Sequence, residues 1–291
     1  MFDAAIQFTF SGLTIGAIYA LVALGFTIIY NASDVVNFAQ GEFVMMGGMG
    51  TVFLYEAGLP LMPAIFVAIM LTACIGILLN KSAIEPVRGG SVVTLIIITI
   101  GASIFFRGLA QIVFDKQLHS LPPFTGDTPI EILGATILPQ SLWVLAGGIA
   151  IFIGLYLFFN GALIGKAVLA TSNNRLAAKL VGINTDFIMI LSFGLSAGIG
   201  AIAGVLVTPI TLTSYDVGLM LALKGFAAAM LGGIGNPFGA LVGGLIIGLL
   251  EAYSAGWISS DYKDAAAFIT IFLVLFIMPN GLFGKKTVER V

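Results

Sequence analysis

Charge is what this sequence has least of. Only 9% of its 291 residues are Asp, Glu, Lys or Arg, against about 25% in soluble domains. That is too little polar surface to face water, which excludes a soluble globular protein and points to a polytopic membrane chain. A net charge of −2 offers no basic surface, so nucleic acid is not an expected partner. The single cysteine, Cys74, cannot form an intrachain disulfide and reads as a small packing residue in an apolar run. The single histidine, His119, sits in the polar stretch DKQLHSLPPFTGD without a second His or Cys beside it. No metal site is expected there, and nothing in the pattern calls for a cofactor. No G-x-x-x-x-G-K-[ST] stretch cradles a nucleotide phosphate. Paired carboxylates, a His cluster or a nucleophile with its base are also missing, so a membrane-embedded enzyme fits poorly. The start, MFDAAIQF, has no basic n-region, so the first apolar run is expected to stay as a membrane span.

What is present is apolar: 59% of residues are hydrophobic and the mean hydropathy is +1.11. A bilayer core of about 30 Å needs roughly 20 apolar residues per helix. On that rule, spans fall near 7–30, 60–80, 91–114, 141–160, 187–208, 237–256 and 266–280. Two weaker segments, 35–54 and 218–234, are interrupted by Gly or a charge; each either crosses fully or is a broken or re-entrant helix. The fold class is therefore all-α and polytopic, with eight or nine transmembrane helices in a single domain over 1–291 and no soluble domain. If both weak segments cross, Lys81, Arg88, Lys166, Arg175, Lys179, Lys285, Lys286 and Arg290 share one side, leaving only Lys116 and Lys263 on the other. That asymmetry makes the first side cytoplasmic and favours nine crossings. It puts the tail and the 161–186 loop inside, and the N-terminus and the 115–140 segment outside. A Met-Gly-Gly at 46–48 and a Met-Leu-Gly-Gly at 230–233 suggest two half-repeats, about 1–150 and 151–291. Paired interrupted segments of this kind point to a transport pathway.

Four ionisable residues fall in or beside the spans: Glu42, Arg107, Lys224 and Glu251. A charge at the bilayer centre costs at least about 2.5–3.5 kcal/mol, so these should face protein or water in neutral pairs. Arg107 and Lys224 are the candidate bases for such pairs. The competing reading is that they lie near helix ends and snorkel to the interface. Asn37, Gln40, Glu42 and Glu251 are the candidates for lining a path. The stretch VNFAQGEFVMMGGM, Val36 to Met49, reads as a break in a helix, with its amides and carboxylate meeting the freed backbone groups.

Glycines recur at steps of four, at Gly12 and Gly16, at Gly194 and Gly198, at Gly200 and Gly204, and through Gly235, Gly239 and Gly243. Such spacing lays bare backbone along one helix face and lets helices approach closely. Ile234 to Gly239, IGNPFG, reads as a turn whose proline opens the next helix. The stretch GKAVLATSNNRLAAKLVGIN, Gly165 to Asn184, is too polar to span. Asn173 or Asn174 can cap a short helix carrying Leu176, Lys179 and Leu180, with Gly182 as its stop. An apolar edge with a basic flank suits a partner surface or the lipid headgroups.

Three stretches resemble one family. GLTIGAIYALVALGFTIIYNASDVVNFAQGEFVMMGG, with NFAQGE at its core, is similar to the N-terminal signature of LivH-type permeases of branched-chain amino-acid ABC transporters. RLAAKLVGIN, Arg175 to Asn184, resembles their ATPase-docking loop, and MLGGIGNPFGALVGGLIIGLLE, Met230 to Glu251, is a third match in the right order. The resemblance implies a fold like the ribose-type and vitamin-B12-type importers, in a bacterial or archaeal cytoplasmic membrane. It implies a LivM-type permease partner, two cytoplasmic ATPases and an external binding protein that delivers leucine, isoleucine or valine. Docking would use Arg175, Ala178, Lys179, Gly182 and Asn184; where many relatives carry an acid near Asn173 and Asn174, this chain has SNN. Relatives that carry urea, short amides or aromatic acids leave the cargo open. An ion-coupled secondary transporter, with Glu42 and Glu251 as ion sites, is the reading from a different class.

Overall fold

The computed structural model describes residues 2–87, 89–132 and 134–284. Arg88, Lys285, Lys286 and Arg290, used above for orientation, lie outside them. Among the described residues, the bundle is built of nine helices of 15 residues or more: α1 (Phe2–Ser33), α2 (Gln40–Glu56), α3 (Leu61–Leu79), α4 (Val92–Val113), α5 (Pro139–Gly161), α8 (Thr185–Thr211), α9 (Val217–Gly232), α10 (Pro237–Trp257) and α11 (Lys263–Ile277). Between α5 and α8 lie α6 (Leu163–Asn173) and α7 (Arg175–Leu180). A small hairpin, β1 (Ile130–Ile132) with β2 (Ala135–Ile137), sits in the 115–140 segment. Six of the helices are long and apolar enough to cross a membrane. α2, α9 and α11 have 17, 16 and 15 residues, about 22–26 Å at 1.5 Å per residue.

Contacts across the loops define the two ends. At one, the backbones of His119 and Thr213 exchange hydrogen bonds and Gln7 bonds Thr136. At the other, Asn31 Nδ2 donates to Gly235 O, and Leu282 and Phe283 N–H donate to Leu231 and Gly232 O at the close of α9. Lys81, Lys166, Arg175 and Lys179 all fall at this second end, whereas Lys116 and Lys263 fall at the first.

α1 is the axis of the bundle: it is apolar all round, and Tyr19 to Leu24 are nearly inaccessible. A helix without a polar face belongs in the interior. It packs on α10, α8, α9 and α5, and α8 packs in turn on α2 and α3. Small residues set these crossings. Gly12 and Gly16 of α1 lie against the backbone at Gly244, Leu245 and Gly248 of α10, and Gly204 of α8 lies against Val44 O of α2. α3, α4 and α5 turn large apolar side chains outward, among them Phe66, Ile104 and Tyr156. That is the expected outside of a protein whose solvent is lipid.

Several expectations need correcting. The stretch 36–49 does not break the helix at its glycines: α2 is continuous from Gln40, and the interruption is the linker 34–39 before it. In a bundle that excludes water, no solvent competes for the backbone groups, so the helix holds through Gly41, Gly47 and Gly48. Their bare backbone is spent on contact instead. A Cβ on Gly41 would strike Gly218 O, one on Gly218 would strike Gly41 O, and one on Gly47 would meet the Ala201 backbone. The two weak segments are therefore short helices that pack directly on each other. The 161–186 loop holds two helices rather than one, because α6 buries Gly165, Val168 and Thr171 along one edge. Cys74 lies exposed on the outer face of α3 rather than in packing.

Candidate functional site

The linker that joins α1 to α2 is held by its own polar residues. Asn37 Oδ1 accepts from Ala39 N–H at 3.1 Å, closing an Asx turn, and Phe38 N–H donates to Thr99 Oγ1 of α4 at 3.2 Å. Gln40 is fully buried and knits three helices: its Nε2 donates to Ser196 O at 3.2 Å, and Ser196 Oγ donates to Gln40 Oε1 at 2.6 Å. Ser196 Oγ also lies 2.8 Å from Gly25 O of α1. A buried amide must be satisfied this way, because each unmet polar group costs about 1–3 kcal/mol.

Glu42, 1% exposed, stands one turn into α2. Its Oε1 accepts from Arg107 Nη2 at 2.9 Å and from Ser103 Oγ at 2.8 Å, both on α4. Arg107 and Ser103 are four residues apart and so share one helix face. Arg107 therefore points inward onto a carboxylate and does not snorkel to the outer surface; its side chain is 23% exposed. Among the described residues, Glu42 Oε2 and Arg107 Nε are buried without a hydrogen-bond partner.

A second charged cluster joins α1, α9, α10 and α11. Lys224 Nζ lies 2.8 Å from Glu251 Oε1 and 2.6 Å from Asp264 Oδ1, and donates to Tyr19 Oη at 3.1 Å. Tyr19 Oη donates in turn to Glu251 Oε2 at 2.7 Å. Reading the sequence for ionisable residues missed two members. Tyr19 is hidden in an apolar run, where only its polar tip betrays it. Asp264 sits at the start of KDAAAF, where an acid in a first helical turn could have flagged a partner.

At the basic end of the bundle, Asn174 Oδ1 accepts from Ala177 N–H at 2.9 Å and so caps α7. The helix stops in a Schellman turn: Gly182 N–H bonds Lys179 O, Ile183 N–H bonds Ala178 O, and Gly182 takes φ +89°. Asn184 then caps α8 through Asp186 and Phe187 N–H. Of the residues named for docking, Ala178 is buried and anchors α7, Arg175 lies 3.7 Å from Asp186, and Lys179 is exposed. Leu176, Leu180 and Val181, at 76–88% exposure, form the outward apolar edge. Arg175 and Asn37 line one cavity of about 190 Å³ at this end, so α7 and the α1–α2 linker border the same space. Gln40 and Glu42 thus follow Asn37 from the linker into α2, Glu42 meets Arg107 of α4, and Lys224 and Glu251 form a separate cluster.

The profile of the family described as "Branched-chain amino acid transport system / permease component" matches residues 8–277. The high-affinity branched-chain amino acid transport system permease protein LivH of Escherichia coli K12 is 34% identical, over 98% of this chain and 97% of its own length. BraD of Pseudomonas aeruginosa, named as a permease of the same kind of system, is 32% identical over 97% and 96%. Among solved structures, PsaBC from Streptococcus pneumoniae in complex with Fab has the same fold, with TM-score 0.53 over 93% of this chain and 91% of that one, at 14% identity.

Proposed function

From the premise that this chain belongs to the family of branched-chain amino acid transport permease components, we propose that its own cargo is leucine, isoleucine or valine. It is a multi-pass permease subunit of an ABC importer and not an enzyme; ATP hydrolysis belongs to separate subunits, and a substrate-binding protein completes the system. Its second permease we infer to be of the LivM type, with the two chains enclosing the path between them. Each half of the chain, about 1–150 and 151–291, contributes one short helix, α2 and α9, to that path. The end bearing Lys81, Lys166, Arg175 and Lys179 is cytoplasmic, and the opposite end, with the start of α1, receives the binding protein.

The observation that carries this reading is α7: capped at both ends, basic on its flank, and presenting Leu176, Leu180 and Val181 to the outside. Exposed leucines on a rigid, anchored turn at the basic end fit a protein partner there better than water. Arg175, Ala178, Lys179, Gly182 and Asn184 hold or flank that turn, and we assign the ATPase contact to this surface. The nearby cavity shared by Arg175 and Asn37 gives a motion of α7 a short route to the α1–α2 linker. Co-purification of the ATPases with tagged Leu176→Asp and Leu180→Asp variants tests it. Loss of the ATPases with the permease still folded is expected; full retention in both variants would sink the assignment.

A further inference from the structure

The cavity of about 190 Å³ at the basic end lies where the α1–α2 linker, the start of α4, α7 and α8 meet. Its wall is largely apolar, with Ile29, Val36, Leu95 and Phe193 among its residues. Two hydroxyls also line it, and both have spent their protons. Ser33 Oγ donates to Ile29 O at 2.8 Å, and Thr99 Oγ1 donates to Ile96 O at 2.9 Å. No Asp or Glu stands among the described residues of this wall; Asp34 lines the neighbouring cavity instead.

What this space has to offer is donors. Asn37 is 1% exposed and lines it. Its Oδ1 is used in the turn to Ala39 N–H, while its Nδ2 has no hydrogen-bond partner among the described residues. Buried polar atoms in native proteins are nearly always paired, so an unmet one asks for a reason. Arg175 brings a guanidinium from α7. Gly89, Gly90 and Val92 bring the N-terminal end of α4, a helix of 22 residues. Ser91 Oγ caps Thr94 N–H there, which leaves the N–H groups of Val92 and Val93 without an acceptor inside the helix. Such a helix end carries partial positive charge and favours anions. A buried amide donor, a guanidinium and a helix N-terminus around one small space call for an anion. A wall without a carboxylate has nothing to meet an ammonium, so a zwitterion would leave its amine unpaired beside two positive groups. Inorganic phosphate would answer the donors but would set a hydrated ion against the apolar side chains.

We propose that this cavity binds a short aliphatic carboxylate that carries no amine. Asn37 Nδ2, Arg175 and the start of α4 hold its carboxylate, and Ile29, Leu95 and Phe193 take its hydrocarbon body. An apolar wall with a few convergent polar groups is the usual form of a small-molecule site. The inference is independent of the cargo reading, because the absence of a carboxylate in the wall sets this ligand apart from an amino acid. The bound anion is shared by α7, the α1–α2 linker and α4, so it favours the arrangement in which the three converge.

The test uses the assembled transporter in nanodiscs of phosphatidylcholine, which offer no anionic headgroup. Titration calorimetry follows the binding of isocaproate, a branched aliphatic carboxylate without an amine. Asn37→Asp keeps the Oδ1 acceptor of the turn and replaces the Nδ2 donor by an oxygen. Leu95→Trp fills the space from α4 without changing charge, so one variant stays informative if the other fails to assemble. Saturable binding to the wild type is expected, weakened at least about tenfold in each variant that assembles. Isocaproamide, leucine and inorganic phosphate should each displace the probe at least about tenfold less well than unlabelled isocaproate. The absence of saturable binding would mean that water alone meets Asn37, and binding unchanged in the assembled variants would place it elsewhere; either result overturns the site. Equal displacement by isocaproamide or leucine overturns recognition of an amine-free anion. Equal displacement by phosphate overturns the carboxylate in favour of a free phosphate or an anionic lipid headgroup.

Discussion

Replacing Lys224 by methionine would remove an ammonium that lies between two carboxylates, 2.8 Å from Glu251 and 2.6 Å from Asp264, and that donates to Tyr19. Methionine keeps the length of the side chain, so packing changes little and charge changes by one. The Lys224 and Glu251 side chains are only 8% and 6% exposed, so water cannot replace the lost cation. Removing one partner of a buried pair costs about 3–5 kcal/mol. The cost of an acid at membrane depth, about 2.5–3.5 kcal/mol, reaches a similar figure by an independent route. Asp264, 36% exposed near the end of the bundle, keeps access to water, so the orphan that matters is Glu251. The double variant Lys224→Met/Glu251→Met should therefore be more stable than Lys224→Met alone, although it carries one more substitution. Reversible unfolding in mixed micelles, followed by helical circular dichroism, measures both. A single-variant loss under about 0.5 kcal/mol, or two single losses that simply add, would refute the argument that the cluster is a buried, mutually dependent unit.

Gly41→Leu or Gly218→Leu should separate α2 from α9, since even a Cβ at either position meets the other's carbonyl; each is expected to reduce recovery of folded protein on size exclusion, while Gly101→Leu, which has open space on α4, should not. Asn174→Ala removes the α7 cap and should cost about 1 kcal/mol locally, seen as faster amide exchange over 175–181 and weaker ATPase recovery. Asp115 outside the spans has its carboxyl held below the ordinary range, first by Gln117 N–H and then by His119. Its stabilisation of the outer loop is thus present above the ordinary carboxylate pKa and lost as pH falls through the lowered value; limited proteolysis of the 115–140 segment should rise on acidification in wild type, and Asp115→Asn should be cleaved readily and without that pH dependence.

Six membrane-length helices were legible because apolar length is a direct requirement of lipid, and the α7 helix was legible because its caps are local in sequence. The four intramembrane charges could also be named in advance, since charge is rare here and costly. Their pairing could not. Arg107 meets Glu42, 65 positions away, and Lys224 meets Glu251 through a turn that returns α10 beside α9. Lipid removes the usual contrast between an apolar inside and a polar outside, so hydropathy cannot say which face of α4 looks inward. The glycines of α2 were misread for a related reason. In water glycine weakens a helix, whereas in a bundle the same bare backbone allows α2 to touch α8 and α9. α6 escaped notice because LIGKAVLATSN is neither apolar enough to span nor polar enough to mark a boundary.

The most direct measurement is radiolabelled leucine uptake into proteoliposomes holding this chain alone or the assembled transporter, with and without enclosed ATP and external binding protein. Uptake is expected only from the assembly, and only with both ATP and binding protein present. Uptake by this chain alone, driven by a proton or sodium gradient, would contradict the account and make Glu42 and Glu251 ion sites of a secondary transporter.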